Sequence, residues 1–419
     1  MSGQHGAVPR APSFDVTTWR LVAIALFVGF GEYSAVAALA DVARHFGHVS
    51  DTTSIASVVG LSGSVLGVGL AVLRLSSLGA LPLTSLADRW GRRRVLTRVL
   101  AIGLLATTVA ALSPSYWFFV LCFAFGRPFL SAAQALVQIV TVELSSAALR
   151  IRRLALIAAG SGAGAGLATV LHGVIRGGQN FRWLFALAGV PLVLGPLLLR
   201  ALPESVPIHR ETTLGVVPRG QRGQLAIVAL VVGVVAVIAG PANGFVFVYG
   251  ESLLHISPGH LALLVTFSAA LGLLGLWLCH RLSQGWGRRL TVAVGVVGSG
   301  LAATLAYSGG RHNFVAGYLL GVLMGGFLTP ALNALGVELF SAHARATAGG
   351  WIIVATVVGA TLGLLVFGVI ADGSPGPSVD ALRWAALWTF LPVLPLVALL
   401  GRLPESTSYE LDESSARST

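Results

Sequence analysis

The stretch Ala87-Asp88-Arg89-Trp90-Gly91-Arg92-Arg93-Arg94 joins two long apolar segments, and an eroded copy, Gln284-Gly285-Trp286-Gly287-Arg288-Arg289, follows in the second part of the chain. Three further short motifs recur in the same order: Glu143-Leu144 at Glu338-Leu339, Phe181-Arg182-Trp183 at Leu382-Arg383-Trp384, and Leu202-Pro203-Glu204-Ser205 at Leu403-Pro404-Glu405-Ser406. The offsets are 287 − 91 = 196, 338 − 143 = 195, 383 − 182 = 201 and 404 − 203 = 201 residues. Four motifs that recur in the same order at a nearly constant spacing indicate that the second half of the chain is a duplicate of the first.

The composition indicates a membrane protein. Hydrophobic residues make up 55% of the 419 residues and charged residues only 10%, and the mean hydropathy is +0.84. A water-soluble domain of this length needs far more polar surface. The two cysteines, Cys122 and Cys279, both lie in apolar segments, so we interpret them as small core residues. We expect no disulfide framework, no metal site and no cofactor.

Apolar runs long enough to cross a bilayer, about 20 residues each, can be placed twelve times. The predicted spans are 19–43, 60–86, 95–112, 116–141, 154–175, 183–200, 224–249, 260–280, 290–308, 314–337, 350–371 and 384–401. The sequence therefore predicts an all-α membrane protein with twelve transmembrane helices in two pseudo-symmetric six-helix halves. The predicted organisation is a tail at 1–18, a half at 19–200, a connecting loop at 201–223, a half at 224–401 and a tail at 402–419.

The distribution of arginine predicts the orientation. All 27 basic residues are arginine. With both termini inside, the inner segments hold 20 of them and the outer segments five, while Arg74 and Arg127 fall within spans. This bias favours cytoplasmic termini in a plasma membrane, and the arginine-only composition is typical of a GC-rich bacterial genome. The pI near 11 does not indicate nucleic-acid binding, because no basic stripe with interleaved aromatic residues is present.

The duplicated motif carries a resemblance. Ala87-Asp88-Arg89-Trp90-Gly91-Arg92-Arg93 resembles the signature loop of the major facilitator superfamily, although Thr84 stands where that family usually has glycine, and the second copy has Gln284 for the acid. Glu338-Leu339-Phe340 followed by Arg345-Ala346-Thr347, Phe181-Arg182-Trp183 and the two Pro-Glu-Ser motifs are similar to the sugar-porter and metabolite–proton symporter branch. The resemblance covers the whole chain and implies a major facilitator fold.

The resemblance also implies a cytoplasmic gate. Charged groups at adjacent helix ends can hold those ends together in one conformation and release them in another. The alternative is that the arginines only anchor the topology. The candidate gate residues are Asp88, Arg89, Gly91, Arg92, Arg93, Glu143, Gly287, Arg288, Arg289, Glu338 and Arg345.

Three ionisable residues lie deep within predicted spans, where a charge is costly and points to function. At 1.5 Å per residue, Glu32, Arg74 and Arg127 lie roughly 18, 21 and 24 Å from the cytoplasmic end of their spans. All three are therefore near the midplane, where carriers bind solute and coupling ions. A nearby cation lowers a carboxylate pKa and burial raises it, so a changing arrangement around Glu32 would couple transport to protons. The alternative is a structural ion-pair network. Arg127 also resembles the span-four arginine of proton-coupled members, but the accompanying Gln and Gly are absent.

Polar and aromatic residues within or beside spans are candidates for solute binding. Each of them could instead form an interhelical hydrogen bond or anchor the protein at the membrane interface. These candidates are Tyr33, Gln134, Asn243, Tyr249, Asn333 and Trp388. His172, near the outer end of span five, is interpreted as interfacial, and the row Gly160, Gly162, Gly164 and Gly166 predicts tight packing of that span.

These patterns favour a secondary active transporter that moves a small polar organic solute, such as a sugar or organic acid, by alternating access with proton coupling. No phosphate-binding loop indicates ATP as energy source. A multidrug–proton antiporter of the same fold is the alternative, although the Gly-Pro pair of the antiporter motif is missing from span five. A membrane enzyme or a sensor is disfavoured, because neither a catalytic constellation nor a long soluble domain is visible. We expect a monomer in the lipid bilayer, whose partners are its solute and protons.

Overall fold

The computed structural model describes residues 16–48, 55–145, 147–175, 181–202, 218–340, 344–374 and 378–403. Within these ranges the chain is almost entirely helical and has no β-strand. Twelve helices are long and apolar enough to cross a membrane. We number them α1 (Val16–Ala37), α2 (Gly63–Trp90), α3 (Arg92–Leu112), α4 (Tyr116–Glu143), α5 (Arg152–Val174), α6 (Phe181–Arg200), α7 (Arg219–Gly244), α8 (Pro258–Ser283), α9 (Arg288–Ala306), α10 (Arg311–Leu335), α11 (Thr347–Gly373) and α12 (Ser378–Arg402). The predicted fold class is confirmed.

In the described segments between the spans there are three further short helices. Leu39–Phe46 and Ile55–Val59 connect α1 to α2. A π-helix, Val248–Leu253, follows α7. The seventh predicted span ran on to residue 249, but α7 ends at Gly244. Pro241 supplies no backbone N–H and glycine is a poor helix former, so both residues weaken the regular helix near its end. The Phe245 N–H still donates to the carbonyl of Pro241 at 3.0 Å.

The duplicated motif forms the same local structure in both halves. Gly91 separates α2 from α3 with φ of 89°, and Gly287 lies between α8 and α9 with φ of 78°. Only glycine adopts this left-handed backbone without strain. Arg93 Nη1 donates to the carbonyl of Leu202 at 2.9 Å, and Arg289 Nη1 donates to that of Leu403 at 2.7 Å. In each half the motif therefore ties the start of the third helix to the end of the sixth.

Glycine allows close helix pairs within each half. A Cβ atom on Gly164 of α5 would collide with the backbone of Leu26 on α1, and a Cβ on Gly160 would press against Val22. In the second half, a Cβ on Gly363 of α11 would collide with the backbone of Val237 on α7. Small residues permit such close approach in membrane helices. The predicted packing role thus holds for Gly160 and Gly164, whereas a Cβ atom on Gly162 or Gly166 would have no described residue of another helix within 4 Å.

The two halves pack together at one end of the bundle. We call the end that carries the loops around Gly91 and Gly287 the arginine face, and the other end the opposite face. At the opposite face Gly67 of α2 approaches Leu364 of α11, and Gly173 of α5 lies against Pro258 at the start of α8. Asp372 at the end of α11 accepts hydrogen bonds from the backbone N–H groups of Gly63 at 2.6 Å and Ser64 at 2.8 Å. This carboxylate caps the N-terminus of α2 from the other half.

The halves separate toward the arginine face. The part of α2 from Ala80 to Trp90 packs on α3 and α4, and among the described residues it has no packing against the second half comparable to that of Gly63–Ser76. One buried apolar cluster spans both halves. A second cluster, which includes Ala87, Val95 and Leu199, contains only first-half residues. The space between the halves is consequently open toward the arginine face.

Candidate functional site

Glu32 is held by one face of α4. Arg127 and Ser131 are four residues apart on that helix, so their side chains lie on one side of it. Ser131 Oγ donates a hydrogen bond of 2.8 Å to Glu32 Oε1. Arg127 Nε lies 3.8 Å from the same oxygen, and Arg127 Nη1 donates to the backbone carbonyl of Glu32 at 3.2 Å. The Glu32 side chain is 23% exposed, so the carboxylate is paired without being sealed from the central space.

Arg74 belongs to the same region but does not complete the ion pair. It lies within electrostatic range of Arg127, Glu32 and Tyr33. In the described part of the chain, no carboxylate lies within ion-pair distance of its guanidinium group. Its side chain instead lines a cavity of about 540 Å³ between α2 and the second half. The three predicted midplane charges are therefore neighbours, and Glu32 pairs with only one of the two arginines.

The cavity beside Arg74 is built mainly by apolar positions of α7, α10 and α11. Its other polar side chains are Asn243, Asn333 and Thr356. A second cavity of about 300 Å³ adjoins it between α7, α9 and α10, shares Asn243, and has Tyr307 and Tyr318 in its wall. Among the described side chains, neither cavity is lined by an acidic residue. Asn243 donates one hydrogen bond of 2.8 Å to the carbonyl of Ala239, one turn earlier on its own helix.

Tyr33 links the two halves close to Arg74. Its ring packs edge-on against Phe247 at 6.2 Å between centroids, and its hydroxyl lies in electrostatic range of Arg74 and Tyr318. Tyr33, Asn243 and Asn333 are thus the predicted solute-binding candidates that lie in the region of Arg74.

The other three candidates lie elsewhere. Gln134 Oε1 accepts a hydrogen bond of 2.8 Å from Ser161, which joins α4 to α5. Tyr249 is fully buried in the π-helix, and its ring packs on Tyr307 at 4.8 Å. Trp388 is 62% exposed and lines a shallow groove with Trp384 and Ile370, between α11 and α12. The structure gives these three residues packing or surface positions and does not place them in either cavity wall.

Charged residues form a network at the arginine face within the first half. Arg92 pairs with Asp88 at 3.2 Å and also contacts the carboxylate of Glu143 at the end of α4. Arg93 donates to the carbonyls of Arg200 and Leu202, at 3.3 and 2.9 Å. This network ties the ends of α2, α3, α4 and α6 together.

The remaining gate candidates are placed only in part. Arg89 is exposed at the end of α2, and Arg288 and Arg289 begin α9. Glu338 ends its helix and Arg345 begins the next. The side chains of Glu338 and Arg345 lie outside the described part of the structure.

A charged cluster at the opposite face was not predicted. His172 of α5 is 2% exposed and Glu251 of the π-helix is 5% exposed. His172 Nε2 lies 3.1 Å from Glu251 Oε1, and His172 Nδ1 lies 3.9 Å from Asp41. Arg44, on the same short helix as Asp41, donates to Ser252 beside Glu251 at 3.1 Å. The prediction that His172 is interfacial is therefore wrong, because a carboxylate from the other half covers it.

Burial changes the proton affinity of Glu251 in this cluster. It raises the pKa of the Glu251 carboxyl above its ordinary value, and the adjacent His172 opposes that rise. One sequence signal points to the cluster: Asp41, His172 and Glu251 all lie close to predicted span ends at the outer side. Nothing in the sequence indicated that they meet.

Comparison with known proteins agrees with the fold. The family model of the Major Facilitator Superfamily matches residues 21–253. A search of curated protein sequences finds no significant match. Among solved structures, a bacterial homologue of the human lysosomal transporter Spinster, in an inward-facing and occupied conformation, superposes with a TM-score of 0.72 at 14% identity, over 92% of this chain and 96% of that chain.

Two further structures are similar over nearly their whole length. The nucleoside transporter NupG gives a TM-score of 0.71 at 12% identity, covering 94% of this chain and 100% of that chain. The inward open conformation of the xylose transporter XylE from E. coli gives 0.68 at 17% identity, covering 96% and 99%. At such identities the likeness shows the fold alone.

Proposed function

The chain belongs to the major facilitator superfamily, whose fold is that of transporters rather than enzymes, and we propose that it moves a small organic solute by alternating access, coupled to protons. The arginine bias of the loops assigns the arginine face to the cytoplasm. With that orientation, the arrangement of the halves corresponds to an inward-facing state. The proposed location is a bacterial plasma membrane, with both termini cytoplasmic.

The observation that carries this proposal is the position of the larger cavity, where Arg74 of the first half faces α7, α10 and α11 of the second. Helices α2 and α11, together with α5 and α8, close the opposite face. The cavity beside Arg74 lies at the proposed midplane, where carriers bind their solute. A rocking motion that opens the α2–α11 seam and closes the arginine face would expose the same cavity to the other side.

Proton coupling is proposed to act through Glu32. Its carboxylate has a cationic neighbour in Arg127 and a hydrogen-bond donor in Ser131. A proton on Glu32 would weaken the contacts of its carboxylate with Arg127 and Ser131. The charge of Glu32 therefore influences how α1 and α4 pack beside the cavity. The alternative, a purely structural ion pair, predicts that charge neutralisation affects only stability.

A multidrug–proton antiporter is the second candidate. The wall of the smaller cavity favours it, because Tyr307, Phe314 and Tyr318 form an aromatic surface there. The guanidinium group of Arg74 argues against cationic drugs, since no acidic side chain that the structure describes lines either cavity. The direction of proton movement relative to the solute discriminates between the two functions: a symporter moves both in the same direction, and an antiporter moves them in opposite directions.

The test uses purified protein in proteoliposomes that contain a pH-sensitive dye. Sugars, organic acids, nucleosides and cationic drugs are added one class at a time, and solute-induced proton movement is recorded. We expect one class to move protons in the same direction as solute. In Glu32→Gln, gradient-driven accumulation should disappear while solute exchange persists. Accumulation by Glu32→Gln in response to the proton gradient would reduce Glu32 to a structural residue.

A further inference from the structure

The charge balance at the central site is not zero. Arg74 and Arg127 contribute two positive charges and Glu32 one negative charge, which leaves a formal net charge of +1. Glu32 is engaged by Arg127 and Ser131. Among the residues that the structure describes, the uncompensated charge is therefore located on Arg74, in the wall of the larger cavity.

An uncompensated guanidinium group is costly in such surroundings. Burial of a charge away from water is unfavourable unless a counter-charge or a set of hydrogen bonds accompanies it. Guanidinium groups pair with carboxylates through two parallel hydrogen bonds, which makes them effective anion sites. An empty inward-facing site can be hydrated, but during occlusion water is excluded and Arg74 needs an anion.

The rest of the cavity indicates what accompanies that anionic group. Apolar side chains of α7 and α11, such as Val232, Val235, Ile352 and Ile353, form much of the wall. The uncharged polar side chains are Asn243, Asn333 and Thr356. A polyol with many hydroxyl groups would leave several of them without a partner, which costs free energy for each. An apolar body with one anionic group fits both parts of the wall.

We infer that the solute is a small organic monoanion, whose carboxylate pairs with Arg74 and whose apolar body packs against α7 and α11. This inference rests on the proposed function and specifies its solute. It places sugars and cationic drugs outside the preferred class. It also predicts how protonation of the site and binding of the solute influence each other.

That relation follows from the charges. When Glu32 is protonated, it no longer offsets Arg127, and the local charge increases from +1 to +2. An anion then binds more tightly, and by linkage a bound anion makes protonation of Glu32 more favourable. Proton and anion consequently load together, as in a symporter, and one of each adds no net charge to the site.

The first experiment measures binding with matched probes. Purified protein in detergent is heated with benzoate, benzamide and benzylamine, and with octanoate, octanamide and octylamine, and the shift in Tm is recorded. We expect at least one carboxylate to raise Tm, while its amide and amine do not. Arg74→Gln should weaken that binding about ten- to a hundredfold, the range for a hydrogen bond to a charged group. Arg74→Lys, which keeps the charge, should retain part of it.

Arg311→Gln serves as the matched control. Arg311 donates to the carbonyls of Leu254 and His255 at the opposite face, so the same charge is removed away from the cavity. Carboxylate binding should survive in this variant. Unliganded Tm values of both variants report whether they fold. The inference fails if amides or amines bind as well as carboxylates, if no carboxylate binds, or if Arg74→Gln binds carboxylates as wild type does.

A flux measurement separates this inference from the proposed function. Transport of a neutral or cationic solute, with no response to carboxylates, would overturn the anion assignment and leave a proton-coupled carrier in place. Absence of flux for every solute class, despite Arg74-dependent carboxylate binding, would instead contradict the transport function. Carboxylate flux that depends on Arg74 and acidifies the lumen supports both.

Discussion

At the scale of single residues, the neighbours of Glu32, Arg74 and His172 determine what each group can do. Glu32 and Arg127 form a pair with one shared hydrogen-bond donor, Ser131. Arg74 remains available to the cavity. His172 and Glu251 form a buried pair that joins the halves at the opposite face.

The sequence was sufficient to place Glu32, Arg74 and Arg127 at one depth, because their depths follow from counting residues along helices of known rise. It could not assign the partner of Glu32, since that depends on how α2 is rotated relative to α1 and α4. It also could not separate Asn243 and Asn333 from Trp388, since the inward and outward faces of a span look alike in composition when both sides are apolar.

The first residue-level prediction concerns the pH response of carboxylate binding. In wild type, binding to the Arg74 cavity should strengthen as pH falls and Glu32 takes up a proton, because the local positive charge increases. Glu32→Gln is permanently neutral, so its binding should be tight and nearly independent of pH. Titration of benzoate or octanoate at several pH values, followed by intrinsic tryptophan fluorescence, measures this. Equal pH dependence in both proteins would contradict the linkage.

The second concerns Glu251, which faces His172, Asp41 and Arg44. Its pKa is raised by burial in this closed arrangement, whereas a solvated carboxylate in an open arrangement would have its ordinary value. Protonated Glu251 therefore stabilises the closed opposite face. This stabilisation is complete below the ordinary pKa of a glutamate and is lost as pH rises through the raised pKa of Glu251. We expect the fraction open at the opposite face to increase with pH.

Glu251→Gln should remove most of that pH dependence, because glutamine cannot lose a proton. Asp372→Asn weakens the contact between α11 and α2, which is the second contact between the halves at the opposite face. This variant should open the opposite face at every pH but keep the dependence of opening on pH. Accessibility of single cysteines to a membrane-impermeant reagent provides the measurement. A Glu251→Gln protein with the wild-type pH profile would show that another group is responsible.

At the scale of helices, glycine positions and charged helix ends determine how the bundle is assembled. The close pairs α1–α5 and α7–α11 depend on glycine at the points of contact. The spacing of glycine in α5 predicted a packed face. In the structure Gly160 and Gly164 form that face against α1. The sequence could not identify those members without knowing which side of α5 faces α1.

A matched pair of substitutions tests this packing. Gly164→Val places a side chain against the backbone of Leu26, whereas Gly162→Val enters space with no atom within 4 Å. Overpacking of a tight contact costs about 1–3 kcal/mol, so Gly164→Val should lower Tm in detergent by several degrees and Gly162→Val should change it little. Equal Tm values for the two variants would show that the α1–α5 contact is looser than described.

The charged helix ends at the arginine face provide another prediction. Asp88→Asn removes the acid that pairs with Arg92, which also contacts Glu143. We expect slower transport with normal membrane insertion, because the arginines that set orientation are unchanged. Asp380→Asn, at the start of α12, is the control for loss of one carboxylate. Initial rates of uptake, normalised to protein in the membrane, measure the effect. Wild-type rates in Asp88→Asn would leave only an anchoring role for this motif.

At the scale of the whole molecule, the repeated motifs predicted two related halves, and both copies of the glycine turn fold alike. The conformational state was beyond the reach of the sequence. It depends on contacts between the halves, such as Asp372 with Gly63 and His172 with Glu251, whose partners are far apart along the chain. Each of these contacts involves only one or two hydrogen bonds, and its contribution depends on the three-dimensional arrangement. The free-energy difference between the inward- and outward-facing states therefore does not follow from composition.

The central claim is that the halves move relative to one another around the Arg74 cavity. Distances between spin labels test it most directly, in a protein whose Cys122 and Cys279 are replaced by alanine. One pair, Leu112→Cys with His312→Cys, spans the halves at exposed positions of the opposite face, and the other, Ser85→Cys with Gly285→Cys, spans them at the arginine face. We predict that the two distances change in opposite directions when carboxylate and pH are varied, with a short opposite-face distance accompanying a long arginine-face distance. A single fixed distance for each pair under every condition, in protein that binds carboxylate, would contradict alternating access.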